Sequence, residues 1–290
     1  MSPSANASAI LALTLCASCN ALDSVIGPPQ RVYDTRTGQE HSMDELADDL
    51  AGLDVVFLGE EHDNDVGHAL QLEMIELLFA RRPNLAISLE MFERDVQGVL
   101  DDYLAGRIDE ETFMENSRPW PNYTKHYRPV IEFARRHGLA VLAGNIPRRL
   151  ARTVAYDGLA AVEGLEFVPR HIEIDEPEYL GLFARAMGVH GPTDTNGLAN
   201  WFAAQCIKDA AMAESIADHV IAQGAYRPMI VHLCGRFHSD AELGTVSRLH
   251  SLLPGLKLAV ISTDSSSWRG SRPNEEERSW GRFIWRVRPQ

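Results

Sequence analysis

The sequence predicts an α/β fold: a central parallel or mixed sheet flanked by helices, with a smaller all-helical lobe. Three observations carry that prediction. Short apolar runs recur along the chain and alternate with segments of helical period. The runs are apolar throughout instead of every second residue, as in strands covered on both faces. Two stretches, about 96–137 and 177–223, keep a helical period with no strand-like run, so they read as helical insertions. A chain of 290 residues with 45% apolar and 23% charged residues has ample material for a core.

The elements follow in order. Ala5 to Cys16 is an apolar run, and the small residues Ala17 and Ser18 precede Cys19. That pattern predicts a lipoprotein-type signal peptide over 1–18, cleaved before a lipid-modified Cys19. A plain secretory signal or a short buried helix is the alternative. Residues 19–30 read as a tether, in which Gly27-Pro28-Pro29 stops any helix. The domain then spans 31–290. Arg31 to Asp34 suits a short strand, and Ser42 with Glu45 forms a capping box for a helix reaching Leu50. Strands are expected at 53–59, 85–91, 139–143, 229–233, 256–262 and 283–287. Between the first two, Leu70, Met74, Leu77 and Leu78 mark a helix over 66–82.

Several function classes are excluded. A net charge of −14 argues against a nucleic-acid partner. No run of ~18 apolar residues offers an ordinary membrane span. Four cysteines are too few for a disulfide scaffold, and Cys206 and Cys234 read as buried thiols. Walker A, GxGxxG, GxSxG and HExxH patterns are all absent.

Chemistry concentrates just after the predicted strands. Glu60 and His62 follow the first, with His68 a turn later. Glu90 lies in the second, and Asn145 and Arg148 follow the third. Gly235 and His238 follow the strand of 229–233. In an open α/β sheet ligands bind beyond the carboxyl ends of the strands, so parallel strands would gather these groups on one rim. Each has a structural alternative. His62 and His68 could cap the next helix, although Asp63 and Asn64 already offer capping oxygens. Glu90 could pair with Arg94 or Arg148, and His232 could be a core histidine. Asp209 lies in an apolar helical run and divides evenly between the two readings. A crowded rim of unpaired carboxylates further predicts that Glu90→Gln leaves stability unchanged or raised.

The segments GEEHDN (59–64), SLEMFERDVQ (88–97), HYRPVIEFARRHGLAVLAGNIPR (126–148), AMAESIA (211–217) and GRFH (235–238) together resemble the ChaN-like family of haem-binding lipoproteins. That family shares a superfamily with the erythromycin esterases, TraB and Tiki proteins. The resemblance implies an α/β core with a helical lobe, and a homodimer whose pocket holds paired haems bound through tyrosine, with basic side chains on the propionates. Tyr123, Tyr127, Lys125 and His126, with Arg148, form the best aromatic and basic set for that ligand. In hydrolytic relatives the matching Glu and His positions do catalytic or metal-binding work.

Two functions of different class follow. One is an exported lipoprotein, anchored in the bacterial cell envelope (the outer membrane of a Gram-negative cell), that binds haem for iron acquisition. The other is a hydrolase using Glu60, His62, Glu90 and His238, with a divalent metal held by Glu60, His62 and His238.

Overall fold

The chain enters on β1 (Gln30–Asp34) and turns into the short β2 (Glu40–His41). Helix α1 (Met43–Leu50), β3 (Val55–Glu60), α2 (Asp65–Arg81) and β4 (Leu85–Glu93) follow. Four helices come next: α3 (Gln97–Leu104), α4 (Glu110–Ser117), α5 (Tyr123–His126) and α6 (Arg128–His137). Then come β5 (Ala140–Asn145), α7 (Arg148–Asp157), α8 (Pro177–Ala186) and α9 (Thr195–Gln223). The chain closes through β6 (Met229–Gly235), α10 (Thr245–Leu252), β7 (Leu258–Asp264) and β8 (Phe283–Val287). The structure is a computed structural model that describes residues 30–174, 176–188, 195–266 and 272–289, with only the backbone of 195 and 196. The expected signal peptide, Cys19 and the tether up to residue 29 lie outside the described residues.

The eight strands form one mixed sheet in the order β2-β1-β8-β7-β3-β6-β4-β5. From β8 to β5 every neighbouring pair is parallel, whereas β1 pairs antiparallel with both β8 and β2. Alternate side chains explain why the central runs are apolar throughout. Val56 and Leu58 of β3 enter the core under α1 and α2, and Val55 and Phe57 enter the core under α9 and α10. Each such side chain contributes roughly 1.5–3 kcal/mol on full burial.

The predicted strands are found, with two differences. Strands β4, β5, β6 and β7 each run two residues past the predicted ends, because a polar, charged or glycine residue ends an apolar run without ending the backbone ladder. Strand β2 was not expected: two edge residues carry no apolar pattern. Near its end β4 shifts register against β5, between Leu89 and Glu93. Such an irregularity re-aims side chains, and Glu90 lies inside it.

Helices α3–α6 occupy the first predicted insertion, but Tyr103, Phe113, Tyr123, Tyr127 and Phe133 share one core with the sheet. The second insertion is different. The first half of α9 packs on α7 through Ile207 and Ala211, and on α8 through Phe202 and Cys206. Its second half covers the sheet with Ala213, Ile216 and Val220. A single helix thus carries the lobe on the sheet. Cys206 and Cys234 are free and buried.

Candidate functional site

Parallel pairing brings the carboxyl ends of β3, β6, β4 and β5 to one edge, where a cavity of about 350 Å³ opens. His62 lines it from the end of β3, Glu90 and Glu93 from β4, Asn145 and Arg148 from the end of β5, and Gly235, Phe237 and His238 from the end of β6. Trp120, Gln205 and Lys208 also line it. A larger groove of about 560 Å³ runs along Leu159, Val162, Leu165 and Ile172, but the cluster of ionisable groups belongs to the strand ends.

Glu60 ends β3 and is buried, so its carboxylate must be satisfied from within. Oε1 accepts from the Tyr127 hydroxyl (2.6 Å) and from His62 Nδ1 (2.9 Å). Oε2 accepts from the Gln71 amide (2.8 Å). The His62 carbonyl in turn accepts from His68 Nε2 (3.0 Å) and from Asn122 (2.9 Å). His62 is therefore held through both backbone and ring. The hydrogen bond to Glu60 is the main reason its pKa is raised. The side chain is 45% exposed, and Trp120 meets its ring edge-on at 5.0 Å. Asn64, not a histidine, caps α2, accepting from Gly67 N–H (2.9 Å).

Glu90 and His238 form the second half of the site. His238 Nδ1 lies 2.6 Å from Asp209 Oδ1, and Nε2 lies 3.2 Å from Glu90 Oε1. Glu90 Oε2 also accepts from Gly235 N–H (2.7 Å). Asp209 is fully buried and accepts further from Tyr179 (2.9 Å) and Thr245 (2.9 Å). Burial alone would lower the pKa of His238, but the two carboxylates overcome it and push it up to about 10. Burial would likewise raise Glu90, yet His238, His62 and the Gly235 amide bring it down to about 2. The trio is a buried imidazolium between two carboxylates.

This corrects the alternatives weighed for Glu90. Arg94 turns away to Glu214 (3.0 Å), and Arg148, on the same cavity wall, forms no ion pair with it. His232 is a core histidine: it is fully buried, its Nδ1 meets Ser88 Oγ (2.9 Å), and burial lowers its pKa to about 4.

The expected haem-binding set is not brought together. Tyr123 packs in the core against Phe92 and Phe113, and burial pushes its pKa up. Tyr127 is buried and donates to Glu60; burial and that carboxylate keep it a phenol. Lys125 and His126 both pair with Asp65, at 2.6 and 2.8 Å. Only Arg148 of that set lines the cavity. The expected divalent-metal set is not formed either. Among the described residues no group of three or more His, Cys, Asp or Glu is placed to hold a metal ion. His238 has both ring nitrogens turned to carboxylates, and each Glu60 oxygen already faces a donor. A general base needs a free lone pair too, and of Glu60, His62, Glu90 and His238 only His62 keeps a ring nitrogen, Nε2, with no partner.

Sequence reasoning did not find Gln205, Lys208 or Phe237. Asp209 carried a signal, a carboxylate within an apolar helical run. Lys208 and Gln205 carried none, because only the seating of α9 turns them toward the strand ends.

Comparisons with known proteins bear on the same region. A family model described as haem-binding uptake, Tiki superfamily, ChaN matches residues 46–249. Protein RETICULATA-RELATED 5, chloroplastic, of Arabidopsis thaliana is 24% identical over 284 residues; the match covers 90% of this chain and 37% of that protein. The chain thus spans little more than a third of that relative. Among solved structures, ChaN of Campylobacter jejuni, described with cofacial haem, aligns with a TM-score of 0.69 at 15% identity. That alignment covers 91% of this chain and 98% of the other. The type III effector HopBA1 aligns with a TM-score of 0.51 at 12% identity, over 86% and 94% of the two chains. At these identities the structures show a shared fold.

Proposed function

The chain belongs to the ChaN family of haem-binding uptake proteins in the Tiki superfamily, and we propose that it binds haem at the strand-end cavity. One observation carries the placement. Arg148 and Lys208 line the cavity without a hydrogen bond or ion pair to any described residue. The carboxylates beside them are already engaged, Glu90 with His238 and the Gly235 N–H, and Glu93 with Arg118 (2.9 Å). Two cations with no ion-pair partner among the described residues, in a chain of net charge −14, are what an anionic ligand requires. Trp120, Ile146 and Phe237 add apolar wall. An apolar macrocycle with two carboxylates matches that chemistry.

A cavity of about 350 Å³ lies at the low end of the ~300–1,000 Å³ usual for ligand pockets. A haem seated there leaves part of its face outside, which supports a homodimer in which a second copy covers it. Export, a lipid anchor at Cys19 and a role in iron acquisition complete the proposal. They rest on the apolar run before Cys19 and on family membership. Titration of the full chain with haemin tests the central claim. A saturable shift of the Soret band is expected, and Arg148→Ala with Lys208→Ala should weaken it by about tenfold or more, since a hydrogen bond to a charged group is worth ~1.5–3 kcal/mol. An unshifted spectrum throughout the titration would overturn it.

A further inference from the structure

We infer that His62 Nε2 is the axial ligand of the haem iron in this chain, with Glu60 as the carboxylate that orients it. The inference rests on the haem reading above and names the ligand within that site. The first argument is the disposition of the tyrosines. All seven in the sequence are among the described residues. Tyr33, Tyr103, Tyr123, Tyr127 and Tyr179 are buried, and the exposed Tyr156 and Tyr226 do not line the cavity. Tyr156 is eight residues along α7 from Arg148, roughly 12 Å at 1.5 Å per residue. Tyr226 precedes β6 and so belongs to the opposite end of that strand.

The second argument is the state of the other donors on the wall. His238 has both ring nitrogens engaged, by Asp209 and Glu90. Glu90 is held by His238 and Gly235, and Glu93 by Arg118. Cys206 and Cys234 do not line the cavity. His62 differs in every respect. Its side chain is half exposed to the cavity, and Nδ1–H donates to Glu60 at 2.9 Å. In the neutral ring that bond leaves the lone pair on Nε2, which has no partner among the described residues. A metal-bound histidine ordinarily donates its second N–H to a carboxylate or carbonyl, so this chain holds the outer shell of such a ligand ready.

The third argument is how firmly that shell is built. Glu60 is anchored by Tyr127 and Gln71 as well as by His62, and the His62 carbonyl is held from two sides. Five side chains, Glu60, Tyr127, Gln71, His68 and Asn122, spend hydrogen bonds on orienting one half-exposed ring. Gly235 leaves room for it: a Cβ there would sit 2.7 Å from His62 Cε1 and 2.9 Å from Nε2. Tyr127 is thus a positioning residue that acts through Glu60. A histidine with a strong hydrogen bond to a carboxylate is a more electron-rich ligand, one of the levers by which a protein tunes haem iron.

Resonance Raman spectra of the haemin-loaded full chain, ferric and reduced, test this. The reduced wild type should show an iron–imidazole stretch that is lost in His62→Ala and restored by added imidazole. Glu60→Gln should shift that stretch to lower frequency and weaken haem affinity by about 10–100-fold, a spectral change that a purely structural role for Glu60 would not produce. Circular dichroism confirms that each variant is folded. An iron–tyrosinate signature in the wild type that survives His62→Ala, or that disappears in Tyr156→Phe, overturns the inference and leaves the haem reading standing. A loss in His62→Ala that imidazole does not restore also overturns it. A wild type that binds no haemin removes both readings together.

Discussion

His238 lies between Glu90 and Asp209, and this arrangement reverses the sign of one sequence-based expectation. A rim of unpaired carboxylates would make Glu90→Gln neutral or stabilising. Glu90 is paired instead, so its replacement removes one of the two carboxylates that hold the buried imidazolium, Asp209 remaining, and should cost about 1.5–3 kcal/mol, read from urea unfolding. A loss below ~1 kcal/mol would show that the pair does not support the fold. The pH dependence follows from the two shifts. The pKa of His238 rises from ~6.5 in the unfolded chain to about 10. Its contribution is complete below ~6.5 and is lost as pH rises toward 10. Glu90 falls from ~4.3 unfolded to about 2. Its contribution is complete above ~4.3 and is lost as pH drops toward 2. The pair is therefore strongest between ~4.3 and ~6.5. The melting temperature should decline between pH 6.5 and 10, and His238→Gln should flatten that part of the profile. A parallel decline in the variant would assign the slope to other groups.

Strand ends set the geometry at the next scale. Gly235 closes β6 with φ of −54°, a conformation open to any residue, so its role is space and not backbone freedom. Gly235→Ala should leave the fold intact while displacing the His62 ring, and should weaken haemin binding with little change in melting temperature. Haemin affinity equal to the wild type would show that the ring has room to spare. Gly59 is a harder case. A Cβ there meets Ser239 Oγ at 2.7 Å and the Arg236 backbone at 3.0 Å, so substitution pushes β3 away from the turn that carries His238. Overpacking of this kind costs roughly 1–3 kcal/mol. Strand identity was readable along the chain because runs such as 55–58 are apolar on both faces. The edge strand β2 was not, since pairing at an edge needs backbone alone.

For the molecule as a whole, charge and cavity size decide what can assemble. A net charge of −14 opposes self-association, so a dimer needs a local gain large enough to offset it. Haem supplies one on this reading, because a cavity of about 350 Å³ leaves apolar macrocycle exposed, and burying apolar area contributes roughly 25 cal/mol per Å². Sedimentation velocity should show the dimer fraction rising with haemin, and Arg148→Ala with Lys208→Ala should shift that rise to higher haemin concentration. A dimer fraction indifferent to haemin would end the shared-cavity proposal. Assembly thus tests the same two cations as the titration, by an independent signal.

The local pattern of the chain was enough to establish the α/β class, the order of strands and helices, the capping box at Ser42 and the candidacy of Glu60, His62, Glu90, Arg148 and His238. These follow from periodicity and from what stands after each apolar run, which are properties of neighbouring residues. Which of those side chains are free to act was decided only by the tertiary structure. Asp209 on α9 reaches His238 across 29 positions of sequence, and Tyr127 on the loop before α6 reaches Glu60 across 67. Both contacts consume groups that sequence alone leaves available. Lone pairs and protons are spent between residues far apart in the chain, so no local pattern records that His62 Nε2 is left over while Tyr123 and Tyr127 are withdrawn into the core.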